Sequence, residues 1–236
     1  TLPGSGQKSP RFGLARDRSR DRQGAVGCVP APGQPLPGGR GSAVLPGGWT
    51  IAAGSWYDGR MAILKVARLG HPILRQVAEP VSPEAIRSPE IQGFIDDLIE
   101  TMAEYDGAGL AAPQVHVSRQ IVVFQVEGNP RYPDAPSIPL TVLINPRLTA
   151  TTSEEAEDWE GCLSVPGLRG RVPRWSEIRV QAYDREGRSL DYLARDFHAR
   201  VVQHECDHLL GKVYLDRMRS MASLSFLEEW GRYAAR

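Results

Sequence analysis

Two histidines four residues apart, in His204-Glu205-Cys206-Asp207-His208, set the tightest limit on how this chain can fold. On an α-helix that separation puts both imidazoles on one face about a turn apart, able to grip one ion, with Glu205 close to the same site. The flanking residues agree with a helix from Asp196 to Leu210. Asp196 is its candidate N-cap, and Gly211 falls just past the end, where a left-handed residue commonly closes a helix. A metal hydrolase needs three protein ligands and an open position, plus a carboxylate that moves a proton. The motif supplies two ligands and the base. Such a pair also arises as two hydrogen-bonded histidines at a core edge. Against that, these are the only two of the five histidines with this spacing, on a segment read independently as helical.

The third ligand has to come from elsewhere, since no histidine follows His208; downstream, Asp216, Glu228 and Glu229 are the formal candidates. Upstream, Glu160-Gly161-Cys162-Leu163-Ser164-Val165-Pro166-Gly167 places a cysteine in a Gly-flanked, turn-like stretch that can present a thiolate. Cys162 is the expected ligand, its alternative fate being a small buried hydrophobe. Cys206 lies two residues from each histidine and so faces away from the ion, as core or support.

The remaining chain organises around this helix. Residues 1–60 hold 13 of the 24 glycines and 7 of the 19 prolines, show no sustained apolar period, and cannot bury a core. A disordered tail, an organelle transit peptide or sequence upstream of the real start would each fit. The last is expected, because Met61 opens orderly text, while Arg16, Arg18, Arg20 and Arg22 alternate with Asp17 and Asp21 in a way unsuited to a transit helix. Residues 61–236 then form the catalytic domain.

Formal net charge is zero, with 8 Lys+Arg and 3 Asp+Glu in residues 1–60 and 20 and 25 in the remainder, so no basic footprint for nucleic acid is evident. Three cysteines fit a reducing compartment or a metal site and make cytoplasm the default, or an organelle if residues 1–60 are a transit segment. No apolar run reaches 18 residues, so the expectation is a soluble chain without a membrane span.

From Ser82 to Tyr105 the residues Ile86, Ile91, Phe94, Ile95, Leu98, Ile99 and Met102 recur at helical spacing, with Asp106-Gly107 as the stop. Strand-like runs follow at Gln120 to Val126, Thr141 to Asn145, Ile178 to Tyr183 and Ser189 to Ala194, the last two joined by a hairpin turn over Asp184 to Arg188. Ser223 to Tyr233 reads as a terminal helix whose Leu224, Leu227 and Trp230 pack on the sheet. The class is α+β: short mixed or antiparallel sheets around the His204/His208 helix, with one helix before it and one after.

Three segments taken together carry a resemblance: Gly107-Ala108-Gly109-Leu110-Ala111-Ala112-Pro113-Gln114, Glu160-Gly161-Cys162-Leu163-Ser164, and Gln203 to His208. In this order, with Gly70, Pro72, Leu74 and Arg75 ahead of them, they closely resemble the three motifs of bacterial-type peptide deformylases. The resemblance covers essentially all of residues 61–236. It implies hydrolytic removal of the formyl group from the N-terminal formylmethionine of nascent peptides, close to the ribosome exit, releasing formate through a metal-activated water. It implies one divalent ion, Fe(II) above Zn(II), Ni(II) or Co(II), on Cys162, His204 and His208, with Glu205 as proton carrier.

Carried over residue by residue, Gln114 resembles the side-chain donor and Leu163 the backbone donor to the developing oxyanion, a contribution of about 3 kcal/mol per group. Ala108, Gly109 and Gly161 resemble the edges along which the peptide lies, and Phe197 and Val201 part of a methionine pocket. Glu160 with Arg174 resembles a bracing ion pair. The chain departs from the family at Cys206, where methionine is more usual, and in residues 1–60, which have no counterpart. An HExxH endopeptidase and a non-catalytic metal-binding module are the rival readings, the first disfavoured by the upstream cysteine and the second by an intact Glu205.

Overall fold

A computed structural model of the chain describes residues 62–127 and 135–234, together with two short strands, β1 (Ala43–Val44) and β2 (Thr50–Ile51), which pair antiparallel. Contacts divide the chain into Thr1–Ala53 and Gly54–Arg236. Apart from the β1–β2 pair, the expectation for residues 1–60 lies outside the described residues.

In the second unit the chain runs α1 (Pro89–Glu104), β3 (Gly109–Ala111), β4 (Ile121–Val126), β5 (Ile138–Ala150), β6 (Glu155–Cys162), β7 (Val165–Trp175), β8 (Glu177–Tyr183), β9 (Ser189–Arg195), α2 (Asp196–Leu209), β10 (Ser225–Phe226) and α3 (Leu227–Tyr233). Five strands form one sheet in the order β3-β4-β5-β8-β9 and three form another in the order β10-β7-β6. Every pairing between these strands is antiparallel. The expected α+β class is therefore present.

Why Ile121 to Phe124 of β4 read as a continuous apolar run follows from burial on both faces. Ile121 and Val123 join Ile95, Leu98 and Met102 of α1, while Val122 and Phe124 join Val202, Cys206 and Leu209 of α2. The larger sheet is thus covered by α1 on one side and by α2 on the other. That arrangement fixes α2 as an element buried along most of its length, with 11 of its 14 residues buried.

Several boundaries differ from expectation. α1 starts at Pro89, because a proline disfavours helical backbone in the residue before it: Ser88 is extended at ψ 147° and caps the helix through Oγ, which accepts from the Ile91 N–H at 3.3 Å. Residues Pro83–Ala85 form a separate 3-10 turn. At the head of α2 the capping position falls on Arg195, whose side chain makes no cap hydrogen bond, and Asp196 opens the helix at φ +50°.

The end of α2 behaves as expected. Gly211, at φ +67°, donates to His208 O while Lys212 donates to Asp207 O, the paired bonds of a Schellman close. A Cβ there would also stand 2.7 Å from the Arg75 carbonyl carbon, so no other residue fits without displacement. The terminal helix is shorter than Ser223 to Tyr233, since Ser225 and Phe226 pair with β7 instead. Leu227 is consequently exposed and the Leu224/Leu227/Trp230 stripe does not form.

Candidate metal centre

α2 delivers His204 and His208 to one face, with ring centroids 5.2 Å apart and planes at 76°. Cys162 comes from β6, not from a loop: it is the last residue of that strand, paired with Val165 across a two-residue turn at Leu163 and Ser164, with a register shift at Gly161/Cys162. The Gly-flanked turn of the sequence reading is therefore the tip of a β6–β7 hairpin. Its Sγ stands 3.3 Å from His208 Nε2, and the ligand atoms of Cys162, His204 and His208 all lie within 4.8 Å of one another. Metal–sulfur and metal–nitrogen bonds of about 2.3 and 2.0 Å at tetrahedral angles put such donors about 3.5 Å apart, so the trio fits one ion. All three side chains are buried.

A buried ionic layer holds this trio. Glu160 Oε2 lies 2.8 Å from His204 Nδ1, leaving Nε2 of that ring for the ion, the usual way a carboxylate orients a metal-binding imidazole. Glu160 also accepts two bonds from Arg174, Nε and Nη2, each at 2.9 Å, and one from Arg200 Nη1 at 2.8 Å. Arg174 reaches onward through Nη1 to Asp207 Oδ2 at 2.6 Å, and Asp207 is gripped again by Arg217. Burial alone would raise the Glu160 carboxyl, but Arg174 and His204 hold it far below the carboxylate range. Burial likewise opposes the Cys162 thiolate, yet His208 and His204 bring the thiol well below its ordinary value, towards the form that binds metals.

Burial pushes the Glu205 carboxyl up to about 7, with the two imidazoles opposing. Its Oε2 is buried without a hydrogen-bond partner. Gly109 is required here, because a Cβ at that position would fall 2.5 Å from Glu205 Oε1. Gln114 is fully buried and not a surface amide. Its Oε1 accepts from the Ala111 N–H at 2.9 Å, while Nε2 points to Ser164 Oγ at 3.2 Å and Cys162 Sγ at 3.5 Å.

A pocket opens in front of these groups, between β3, an edge of the large sheet, and β6, an edge of the small one. Ala108, Gly109, Gly161, Leu163, Phe197 and Val201 all line it. Trp159 and Arg200 line it too and were missed. Arg200 was readable, since it precedes His204 by one helical turn on the same face. Asp207 and Arg217 had no such signal, because the partners that bury Asp207 come from a strand and a later turn.

The model of the family described as polypeptide deformylase matches residues 63–223. The chain belongs to the polypeptide deformylase family. Peptide deformylase 1 of Bordetella pertussis is 50% identical over 163 residues, covering 69% of this chain and 92% of that relative. Peptide deformylase 1 of Nitrosomonas europaea is 50% identical over 166 residues, 70% of this chain and 93% of its own. Among solved structures, the class I type b peptide deformylase of Acinetobacter baumannii with Met-Ala-Ser bound superposes with a TM-score of 0.65 at 38% identity, over 67% of this chain and all of that one. The deformylase family makes this a metal-dependent amide hydrolase and sets the endopeptidase reading aside. Among the described residues no helix is long and apolar enough to cross a membrane.

Proposed function

We propose that residues 61–236 remove the formyl group from formylmethionine at the N-terminus of nascent peptides, with Cys162, His204 and His208 as ligands of one Fe(II). The observation that carries this reading is the convergence of a thiolate and two imidazoles beside a pocket that is also lined by Glu205, a buried carboxylate whose Oε2 has no hydrogen-bond partner. A divalent ion held there supplies Lewis acidity, polarising the formyl oxygen and acidifying water. Zn(II), Ni(II) and Co(II) suit the same donors, so the choice of iron rests on the family resemblance and on metal supply.

The chain's own residues then do the following. The peptide lies extended between the β3 and β6 edges, using main-chain groups around Ala108, Gly109 and Gly161, a strand-addition mode that reads backbone more than sequence. Phe197 and Val201 take the methionine side chain. Gln114 Nε2 and the Leu163 N–H stabilise the charge that develops on the formyl oxygen. Glu205 accepts a proton from the attacking water and delivers it to the departing amine, a task suited to a carboxyl pushed to about 7. Glu160 and Arg174 hold His204 and the β6 tip. Such a substrate supports a cytoplasmic site of action, near the ribosome exit.

The test is formate release from formyl-Met-Ala-Ser by anaerobically purified protein whose metal content is measured on the same sample. Formate with about one ion per chain is expected. Glu205→Gln is expected to retain the ion and lose a hundredfold or more of turnover, on the order of 10²–10⁴ for a proton-transfer group, whereas Cys162→Ala loses the ion. Metal-loaded protein that releases no formate would overturn the reading.

A further inference from the structure

We propose that Trp159 is a specificity-determining wall of the methionine pocket and that α3 holds it in place through Trp230. This rests on the deformylase reading and adds to it a residue and a coupling. Trp159 lines the same pocket as Phe197 and Val201, one residue before Glu160 on the edge strand of the small sheet, which among the described residues has a neighbouring strand, β7, on one side only. What confines it comes from the end of the chain. Trp230 of α3 meets the Trp159 ring edge-on, with centroids 6.2 Å apart and planes at 67°, and the Arg169 guanidinium lies 4.3 Å over the Trp230 ring. The indole N–H of Trp230 is buried without an acceptor, so packing and the cation–π contact, not a hydrogen bond, set where that ring sits. β10 anchors the segment to β7 immediately before α3.

The chemistry of the pocket's guest makes this wall selective. A thioether sulfur gains more from contact with an aromatic edge than a methylene of nearly the same size does. Formyl-Met and formyl-norleucine peptides differ in that one atom. Trp159 therefore separates them, and Trp230 governs how well it does so.

The experiment compares kcat and KM for formyl-Met-Ala-Ser and formyl-Nle-Ala-Ser in the parent, Trp159→Phe, Trp159→Leu, Trp230→Leu and the Leu double variant, each checked by circular dichroism and metal content. In parallel, Met-Ala-Ser and Nle-Ala-Ser are titrated by calorimetry, which needs no turnover. The parent is expected to prefer methionine by about two- to twelvefold, the span of a single sulfur–ring contact. Trp159→Leu erases that preference through KM, with kcat within about twofold; Trp159→Phe keeps most of it; Trp230→Leu loses part; and the double variant is no worse than Trp159→Leu. An unchanged Met/Nle ratio in Trp159→Leu, or multiplying losses in the double variant, overturns the proposal. Should Trp159→Leu not fold, Trp159→Phe and Trp230→Leu decide it by the same ratio. Absence of formate from the parent would sink the deformylase reading alone, because the calorimetric Met/Nle ratio still tests the wall.

Discussion

Two arginine–carboxylate forks in this molecule share a geometry and differ in everything else. On the β8–β9 ribbon, Arg179 Nε and Nη2 meet Asp191 at 2.7 and 2.6 Å, with the side chains 54% and 43% exposed. Behind the metal centre, Arg174 Nε and Nη2 meet Glu160 at 2.9 Å each, with both side chains 4% exposed. Water competes for the first pair and screens it, so its distance says little about what it contributes. The second pair has given up its hydration, and its charges are compensated instead by each other and by Arg200, His204 and Asp207 around them. Bond length does not distinguish an ornamental ion pair from one on which a site depends; burial and what else the carboxylate touches do.

The largest expected effect follows from breaking the buried fork. Arg174→Met leaves Glu160 and Asp207 short of a cation inside the protein, and removing one partner of a buried pair costs about 3–5 kcal/mol. Because Arg200 and Arg217 still reach those carboxylates, the loss should fall at the lower end of that range, read as a drop in the urea midpoint of metal-loaded and metal-free protein alike. A change too small to resolve would mean that the two remaining arginines carry the layer.

Next in size is Glu160→Gln, which keeps the shape but weakens the hold on His204 Nδ1. Loss of such an orienting carboxylate typically lowers metal affinity about 10- to 100-fold. The metal should therefore pass faster to a competing chelator, while the Asp191→Asn variant on the ribbon releases it at the parental rate. Equal release rates in all three proteins would deny Glu160 its positioning role.

Acid should reveal the same contrast more mildly. Glu160 and Asp207 are held below their ordinary values against burial, so the stability they add is present at neutral pH and is lost as pH falls below the ordinary carboxylate range of about 4 to 4.5. Glu205 works the other way. Its carboxyl is raised to about 7, so metal-free protein should lose stability as pH climbs from about 4.5 towards 7. Urea midpoints of metal-free protein should peak between those windows, and Glu205→Gln should remove only the upper slope. A midpoint that rises steadily through pH 7 would show that Glu205 is ionised throughout.

How much of this was legible in the sequence depended on whether partners are local. α2 and its two histidines announce themselves through a four-residue spacing, and the β8–β9 hairpin through alternation and the turn at Asp184, which the structure closes with an Asp184 N–H to Arg188 O bond. Cys162 and His208 are 46 residues apart, so no spacing joined them; the Gly-flanked setting of Cys162 suggested the pairing and the family resemblance strengthened it. The hairpin that carries Cys162 stayed hidden because β6 is an edge strand whose first four residues, Glu155 to Asp158, are all exposed, while β7 is interrupted by Pro166 and Pro173. The ionic layer was half visible. Glu160 and Arg174 followed from the resemblance, but Asp207 looked like one more polar residue of a metal motif until the fold buried it beside two arginines.

The smallest expected effect closes the contrast on the ribbon itself. Arg179→Met and Asp191→Asn each remove one side of a fork as well formed as the buried one, and Asp191 also accepts from Gln181 Nε2 at 3.1 Å. Hydrogen bonding to Arg179 lowers the Asp191 carboxyl, and hydrogen bonding to Asp191 raises the guanidinium. Yet every atom it would leave behind can turn to water. Both variants should match the parent in urea midpoint, metal retention and formate release, and raising the salt concentration should change parent and variants alike. If either variant instead unfolded early in a salt-sensitive way, the ribbon pair would be holding the edge strand β9 against fraying. Exposure would then be a poorer guide than the contrast with Glu160 and Arg174 implies.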